Sequence, residues 1–214
     1  MNKTKLLILF VVLLFFLVSI YVYPLMPETV ASHWNASGEV DGYTNKFWGL
    51  FLIPIISLAT LLILIVVPKI DPLRENISQF KEYFYNFILI FLTFFLYLHI
   101  LTILYNLGHD FNFIQFLAPA FGLLFYYTGI LIGKSQRNWS IGIRTPWTLS
   151  SDFVWQETHK LGSRLFKMSG LVAFIGVVLP QYAIVFVLAP ILISSLCVLI
   201  YSYLLYNKKN GKIN

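Results

Sequence analysis

The sequence predicts an all-α integral membrane protein of six transmembrane helices with both termini in the cytoplasm, and three observations predict it. Only 11% of the 214 residues are charged while 58% are hydrophobic, and the mean hydropathy is +0.78. A soluble domain carries about 25% charged residues, so there are too few here to cover a water-facing surface. The apolar residues fall into runs free of Asp, Glu, Lys and Arg that reach the ~20 residues a helix needs to cross hydrocarbon. Lys and Arg gather in alternate connecting segments, as the positive-inside rule requires.

The first run, Leu6–Tyr23, follows Lys3 and Lys5. Its apolar stretch is longer than a signal-peptide core and no Ala-x-Ala-like site follows, so it is expected to remain as a span. Phe47–Val67, Tyr83–Leu107 and Phe111–Gly133 are the second to fourth spans. Ser169–Asn207 holds no charged residue and is too long for one crossing; Pro180-Gln181 divides it into spans near residues 165–180 and 182–206. His99, in the third span, is the one readily ionisable side chain within the runs. With no Asp, Glu, Lys or Arg beside it, it is expected to bond a neighbouring helix rather than to mark an ion path.

Of the 15 Lys and Arg residues, 14 lie in the N-terminus, the loops after the second and fourth spans, and the C-terminus. The other segments share one, Lys46. The split puts both termini in the cytoplasm of a multi-pass cell-membrane protein. The net charge of +6 therefore reflects orientation and contact with membrane lipids, and no direct nucleic-acid partner is expected. The single cysteine, Cys197, lies in an apolar run, cannot form an intrachain disulfide, and reads as a small buried hydrophobe.

Two loops are long enough to carry function. Residues 24–46 form an extracellular loop punctuated by Pro24, Pro27, Gly38 and Gly42, which implies ordered turns. Glu28, His33, Glu39 and Asp41 have the ligand chemistry for a divalent cation, though their spacing matches no standard signature. The alternative is a solvated loop with Trp34 and Trp48 at headgroup level.

Residues 134–167 form the cytoplasmic loop, which contains NWSIGIRTPWTLSSDFVWQETHKLG, Asn138–Gly162. Pro146 pushes Thr145 into extended backbone. Thr148, Ser150 and Ser151 offer N-caps, and Asp152 suits a helix N-terminus. A helix from about Ser151 puts Val154, Thr158, Leu161, Leu165 and Met168 on one face and Asp152, Gln156, His159 and Ser163 on the other. That predicts an amphipathic interfacial helix before the fifth span, with Gln156 and His159 toward the cytoplasm. Arg144 is expected to fork onto Asp152, and Arg164 onto Glu157 or a lipid phosphate. Trp139, Trp147 and Trp155 read as interfacial anchors. The Asp152–Gln156–His159 stripe would suit proton transfer or one edge of a metal site. No H-E-x-x-H, G-x-S-x-G or Gly-rich phosphate loop accompanies it, so no catalytic residue and no cofactor are assigned, and docking and anchoring are the expected roles.

This block resembles the signature of the SdpI family, bacterial and archaeal membrane proteins, through Asn138, Gly142, Arg144, Thr145, Pro146, Trp147, Asp152, Trp155, Gln156 and His159. The outer loop is similar to a small domain of unknown function that often precedes the signature. It keeps that domain's spacing of Pro27, His33, Asn35, Gly38, Asp41, Gly42 and Tyr43. The resemblance implies immunity to a secreted toxin, and in the type member also the holding of a cytoplasmic repressor at the membrane. The outer candidates for a toxin are then Glu28, His33, Asn35, Glu39 and Asp41, and the signature block is the inner candidate for a repressor. Two other readings stay open: a membrane-embedded enzyme or transporter acting on a lipid or small solute through His33/Asp41 or Asp152/His159, and a purely structural membrane partner.

Overall fold

A computed structural model describes residues 3–211 and is helical almost throughout; Lys212 of the C-terminal charge group lies outside the described residues. Helix α1 (Lys3–Val22) ends in a 3-10 turn, Tyr23–Leu25, at Pro24. Strands β1 (Thr29–Trp34) and β2 (Val40–Asn45) form an antiparallel hairpin. Then come α2 (Lys46–Ile70), the short α3 (Arg74–Gln79), α4 (Lys81–Asn106) and α5 (Phe113–Lys134). A one-turn α6 (Pro146–Leu149) precedes α7 (Asp152–Ala173). The short α8 (Ile175–Val178) and a 3-10 turn at Pro180–Tyr182 lead into α9 (Ala183–Lys209).

Six helical segments among the described residues are long and apolar enough to cross a membrane, in the places the charge-free runs predict. Leu6, Leu13, Ile63 and Leu192 are each more than half exposed, as lipid-facing side chains would be. The boundaries have local causes. Asn45 caps α2 by accepting from the Trp48 N–H at 3.0 Å, and Asn112 caps α5 by accepting from Gln115 N–H at 2.9 Å. Between α8 and α9, Pro180 makes the break that the uncharged stretch needs.

Two features of the helices depart from the sequence reading. The amphipathic stretch and the fifth span are one continuous helix: α7 starts at Asp152 and runs without a break to Ala173. Cys197 is exposed on the outside of α9 rather than buried.

The most extensively packed helix pair is α5 with α7. A Cβ on Gly129 would lie 2.8 Å from the Ser163 carbonyl oxygen and the Lys167 backbone nitrogen. One on Gly170 would lie 2.5 Å from the Gly122 carbonyl oxygen. The helices thus touch backbone to backbone, the way small residues pack helices in lipid, where no hydrophobic effect drives association. Elsewhere Phe15 of α1 and Ile88 and Leu92 of α4 are fully buried in one core. His99, also fully buried, bonds Ser19 of α1 at 2.9 Å, as expected of a lone intramembrane histidine.

Candidate functional site

The polar residues gather at opposite ends of the bundle. At one end, the β1–β2 hairpin sits over the termini of α4 and α5. Asn106 at the end of α4 accepts from Ala31 N–H at 2.7 Å and donates to Ala31 C=O at 3.0 Å, so it joins the edge of β1 as a further strand residue would. Asn112 donates to the Ser37 carbonyl at 3.2 Å. The Trp34 ring stacks on Phe113 at 3.8 Å and meets Tyr105 edge-on at 5.3 Å. Gly49 is needed where α2 passes under the hairpin, since a Cβ there would come within 2.2 Å of Val30.

The candidate acids of this hairpin do not converge. Glu28 pairs with Lys46 at 2.7 Å, Asp41 bonds His33 across the strands, and Glu39 accepts from the Asn35 side chain at 3.1 Å. Asn35 also closes the turn, its side-chain Oδ1 accepting from Ser37 and Glu39 N–H. Among the described residues no group of three or more His, Cys, Asp or Glu side chains comes together as metal ligands would. The His33, Glu28 and Asp41 side chains are instead exposed, at 71%, 87% and 45%. Trp34 is a packing residue rather than a headgroup anchor.

At the other end the signature block folds into a polar cap. Asn138 is fully buried and uses its whole amide: its oxygen accepts from Ser140 and Ile141 N–H at 2.8 and 2.6 Å, and its nitrogen donates to Gln136 and Ile141 C=O at 2.7 and 2.9 Å. The cap is fastened to the α2–α3 turn by Asp71. This buried carboxylate accepts from Leu73 N–H at 2.7 Å, from Trp139 N–H at 3.0 Å and from the Ser140 hydroxyl. Asn76 of α3 adds a bond to the Arg137 carbonyl at 2.7 Å.

His159 forms the centre of the cap. It is 2% exposed, and its ring stacks on Trp155 with centroids 3.9 Å apart. Nε2 accepts from the Ile143 N–H at 2.9 Å, which fixes the proton on Nδ1, where it is donated to the Trp155 carbonyl at 2.8 Å. Gly142, at φ +123°, lies against this stack; a Cβ there would sit 2.6 Å from Nε2. Trp155 is itself buried and donates from its indole to the Ser135 carbonyl at 3.0 Å. Thr145 and Thr148 form a reciprocal capping box around α6, and the Thr145 hydroxyl reaches Ser202 of α9 at 3.1 Å. Trp147 packs edge-on to Tyr203, and Lys209 donates to Ser151, so α9 closes the cap from its far side.

Several expectations are corrected here. His159 points into the protein, not outward with Gln156, because the helix turns its Trp155–His159 side toward the Asn138–Ile143 loop. The Asp152–Gln156–His159 stripe is therefore split, with Asp152 and Gln156 exposed. Arg137, not Arg144, pairs with Asp152, at 2.6 Å, since it stands at the start of the loop that returns to α7. Arg144 instead donates to the Trp139 carbonyl at 2.8 Å, and Lys160, not Arg164, lies near Glu157, at 3.9 Å. Trp155 is a core residue rather than an anchor. Asp71 and Asn76 escaped the sequence reading because they are remote in sequence and stand in no motif. The α5–α7 contact had a signal in Gly129-Ile-Leu-Ile-Gly133, small residues four apart in an apolar run.

Most of the cap's buried polar groups hold the loop, while the hydroxyl of Thr158, fully buried on α7, has no hydrogen-bond partner among the described residues. Comparison with known proteins locates relatives of the chain. Residues 134–203 match the SdpI/YfhL protein family, and residues 10–58 match a domain of unknown function, DUF1648. The alignment with "Immunity protein SdpI" of Bacillus subtilis (strain 168) covers 98% of this chain and 99% of that protein, at 24% identity over 210 residues. No solved structure matches this chain. The SdpI/YfhL match covers the cap together with α7 and most of α9, and the DUF1648 match runs from within α1 through the hairpin into the first half of α2. The chain is a multi-pass membrane protein of the cell membrane.

Proposed function

We propose that this chain is a membrane immunity protein that protects its cell against a secreted peptide or protein toxin. The observation that carries the reading is end-to-end similarity to an immunity protein, with the two polar ends of the bundle aligned within it. The Lys/Arg split supports the hairpin, residues 24–46, facing outward and the cap, residues 134–167, facing the cytoplasm. The hairpin then offers a toxin a rigid edge bearing exposed Glu28, His33 and Asp41, with Asn35 and Glu39 at its turn. The cap offers a cytoplasmic partner such as a repressor its exposed residues Trp139, Arg144, Pro146 and Gln156, mounted on the buried frame of Asn138, Trp155 and His159.

The test is survival. Toxin-sensitive cells expressing the chain are challenged with the toxin of the related immunity system, alongside cells expressing His33→Ala/Asp41→Ala. Protection by the wild type, lost in the double mutant at equal membrane abundance, supports both the activity and the site. Protection unchanged in the double mutant removes the hairpin edge from the mechanism, and no protection by the wild type removes immunity to that toxin.

A further inference from the structure

We propose that an anionic phospholipid sits in a cavity of about 440 Å³ between α2, α3 and α4, with its phosphate held by Lys69, Arg74 and Lys81. The three cations converge from three elements: the last turn of α2, the first residue of α3 and the first residue of α4. None makes an ion pair among the described residues. One carboxylate, Glu75, lines the same cavity, which leaves a surplus of two positive charges. Lys5 adds a further cation nearby, lying 4.7 Å above the ring of Tyr85, itself a lining residue. Cations brought together without partners repel one another unless an anion joins them.

The rest of the lining identifies the anion as a lipid. Leu64, Ile65 and Phe84 form an apolar wall below the charges. That wall continues into Leu62, Ile63 and Val66, which are exposed on the lipid-facing side of α2. The cations stand where two spans end, α2 at Ile70 and α4 at Lys81, which is headgroup level. A free phosphate would meet the charges and leave the wall bare; a phospholipid meets both. An anionic headgroup is preferred over a zwitterionic one, whose ammonium group would face the surplus positive charge. The site also touches the signature cap, because α3 carries both Arg74 and Asn76, and Asn76 holds the Arg137 carbonyl.

The experiment is native mass spectrometry of the full chain in detergent, titrated with phosphatidylglycerol, phosphatidylcholine or inorganic phosphate. The wild type should bind one phosphatidylglycerol at least about tenfold more tightly than phosphatidylcholine, since each basic residue near a headgroup contributes several-fold. Lys69→Gln/Arg74→Gln/Lys81→Gln should lose that preference, whereas Lys3→Gln/Lys160→Gln/Lys208→Gln, with as many charges removed elsewhere, should keep it. Leu64→Trp keeps every charge but fills the apolar wall, and should weaken phosphatidylglycerol binding in a chain that still elutes as folded protein. The proposal is overturned if the first triple variant keeps the preference, if both triple variants lose it equally, or if Leu64→Trp binds as the wild type does. Displacement of phosphatidylglycerol by equimolar inorganic phosphate would assign the cations to a soluble anion and overturn it too.

Discussion

Replacing His159 with alanine should loosen the signature cap, and the structure sets the size of the effect. The ring is 2% exposed and occupied at both nitrogens. Alanine leaves the Ile143 N–H without its acceptor, which costs about 1–3 kcal/mol for a buried donor. Loss of the ring stacked on Trp155 at 3.9 Å adds about 1 kcal/mol. The Trp155 carbonyl keeps its helical bond, so its loss is minor. The total is about 3 kcal/mol, or roughly 10 °C in apparent melting temperature for a chain of this size. The assay is thermal unfolding of detergent-purified protein, followed by tryptophan fluorescence and by the monomer peak in size exclusion. Gln156→Ala is the control: Gln156 lies on the same stretch of α7 but is exposed, and should move the midpoint by less than about 0.5 kcal/mol. If His159→Ala melts with the wild type, the ring is not a structural member of the cap. A His159→Ala variant that melts normally yet loses all protection would restore a chemical role for the imidazole.

Other outcomes follow from the same geometry. Gly129→Leu should cut the yield of folded protein sharply, by about 3 kcal/mol or more, because its new side chain meets Ser163 and Lys167 backbone atoms that cannot yield; size exclusion of solubilised membranes reads it. Asp71→Ala should free the 138–141 loop while leaving the spans in place, seen as faster hydrogen exchange at the Trp139 amide, which loses its bond to this carboxylate along with the Ser140 hydroxyl. Single cysteines at positions 36 and 110 should label from outside intact cells, and those at 76, 140 and 210 only after permeabilisation. External labelling at 140 would reverse the orientation drawn from the Lys/Arg split.

The spans were legible because hydrocarbon imposes a one-dimensional rule, a minimum apolar length between charges, and Pro180 marked the break that length alone left open. The hairpin was less legible. Thr29, Val30, Val40 and Thr44 are strand formers on either side of a turn containing Gly38, but prolines and acids at its edges made the segment read as turns only. In the cap, Ser151 and the Thr145–Pro146 boundary were readable because capping and the pre-proline restriction act between near neighbours. The inward side of α7 was not. A period of 3.6 residues separates two faces but does not say which one a loop will cover. Here the loop carrying Gly142 covers the Trp155–His159 side, so the histidine that spacing assigns to a polar outer face is enclosed within the cap, 2% exposed. The choice of Arg137 over Arg144 as partner of Asp152 has the same origin, since it depends on how the 138–145 loop folds back and not on distance along the chain.

The cap also gives its long, unusual string of residues a structural reason. A loop at the end of a helical bundle has no ladder of its own, and every buried amide in it needs a partner. This loop finds them in Asn138, Asp71, Thr145, Thr148 and His159, each using two or more bonds, with Gly142 supplying a conformation and a clearance no other residue can. Such a frame tolerates little change in any of its members, because removal of one strands the donors of the others. The residues it leaves exposed, Trp139, Arg144, Pro146 and Gln156, carry less of that burden, although Arg144 still donates to the Trp139 carbonyl. A substitution in the frame therefore lowers abundance and protection together, whereas one at the exposed positions alters partner binding while the protein stays folded. Abundance and protection measured side by side separate the two sets, and protection lost at an exposed position without loss of abundance would locate the contact surface.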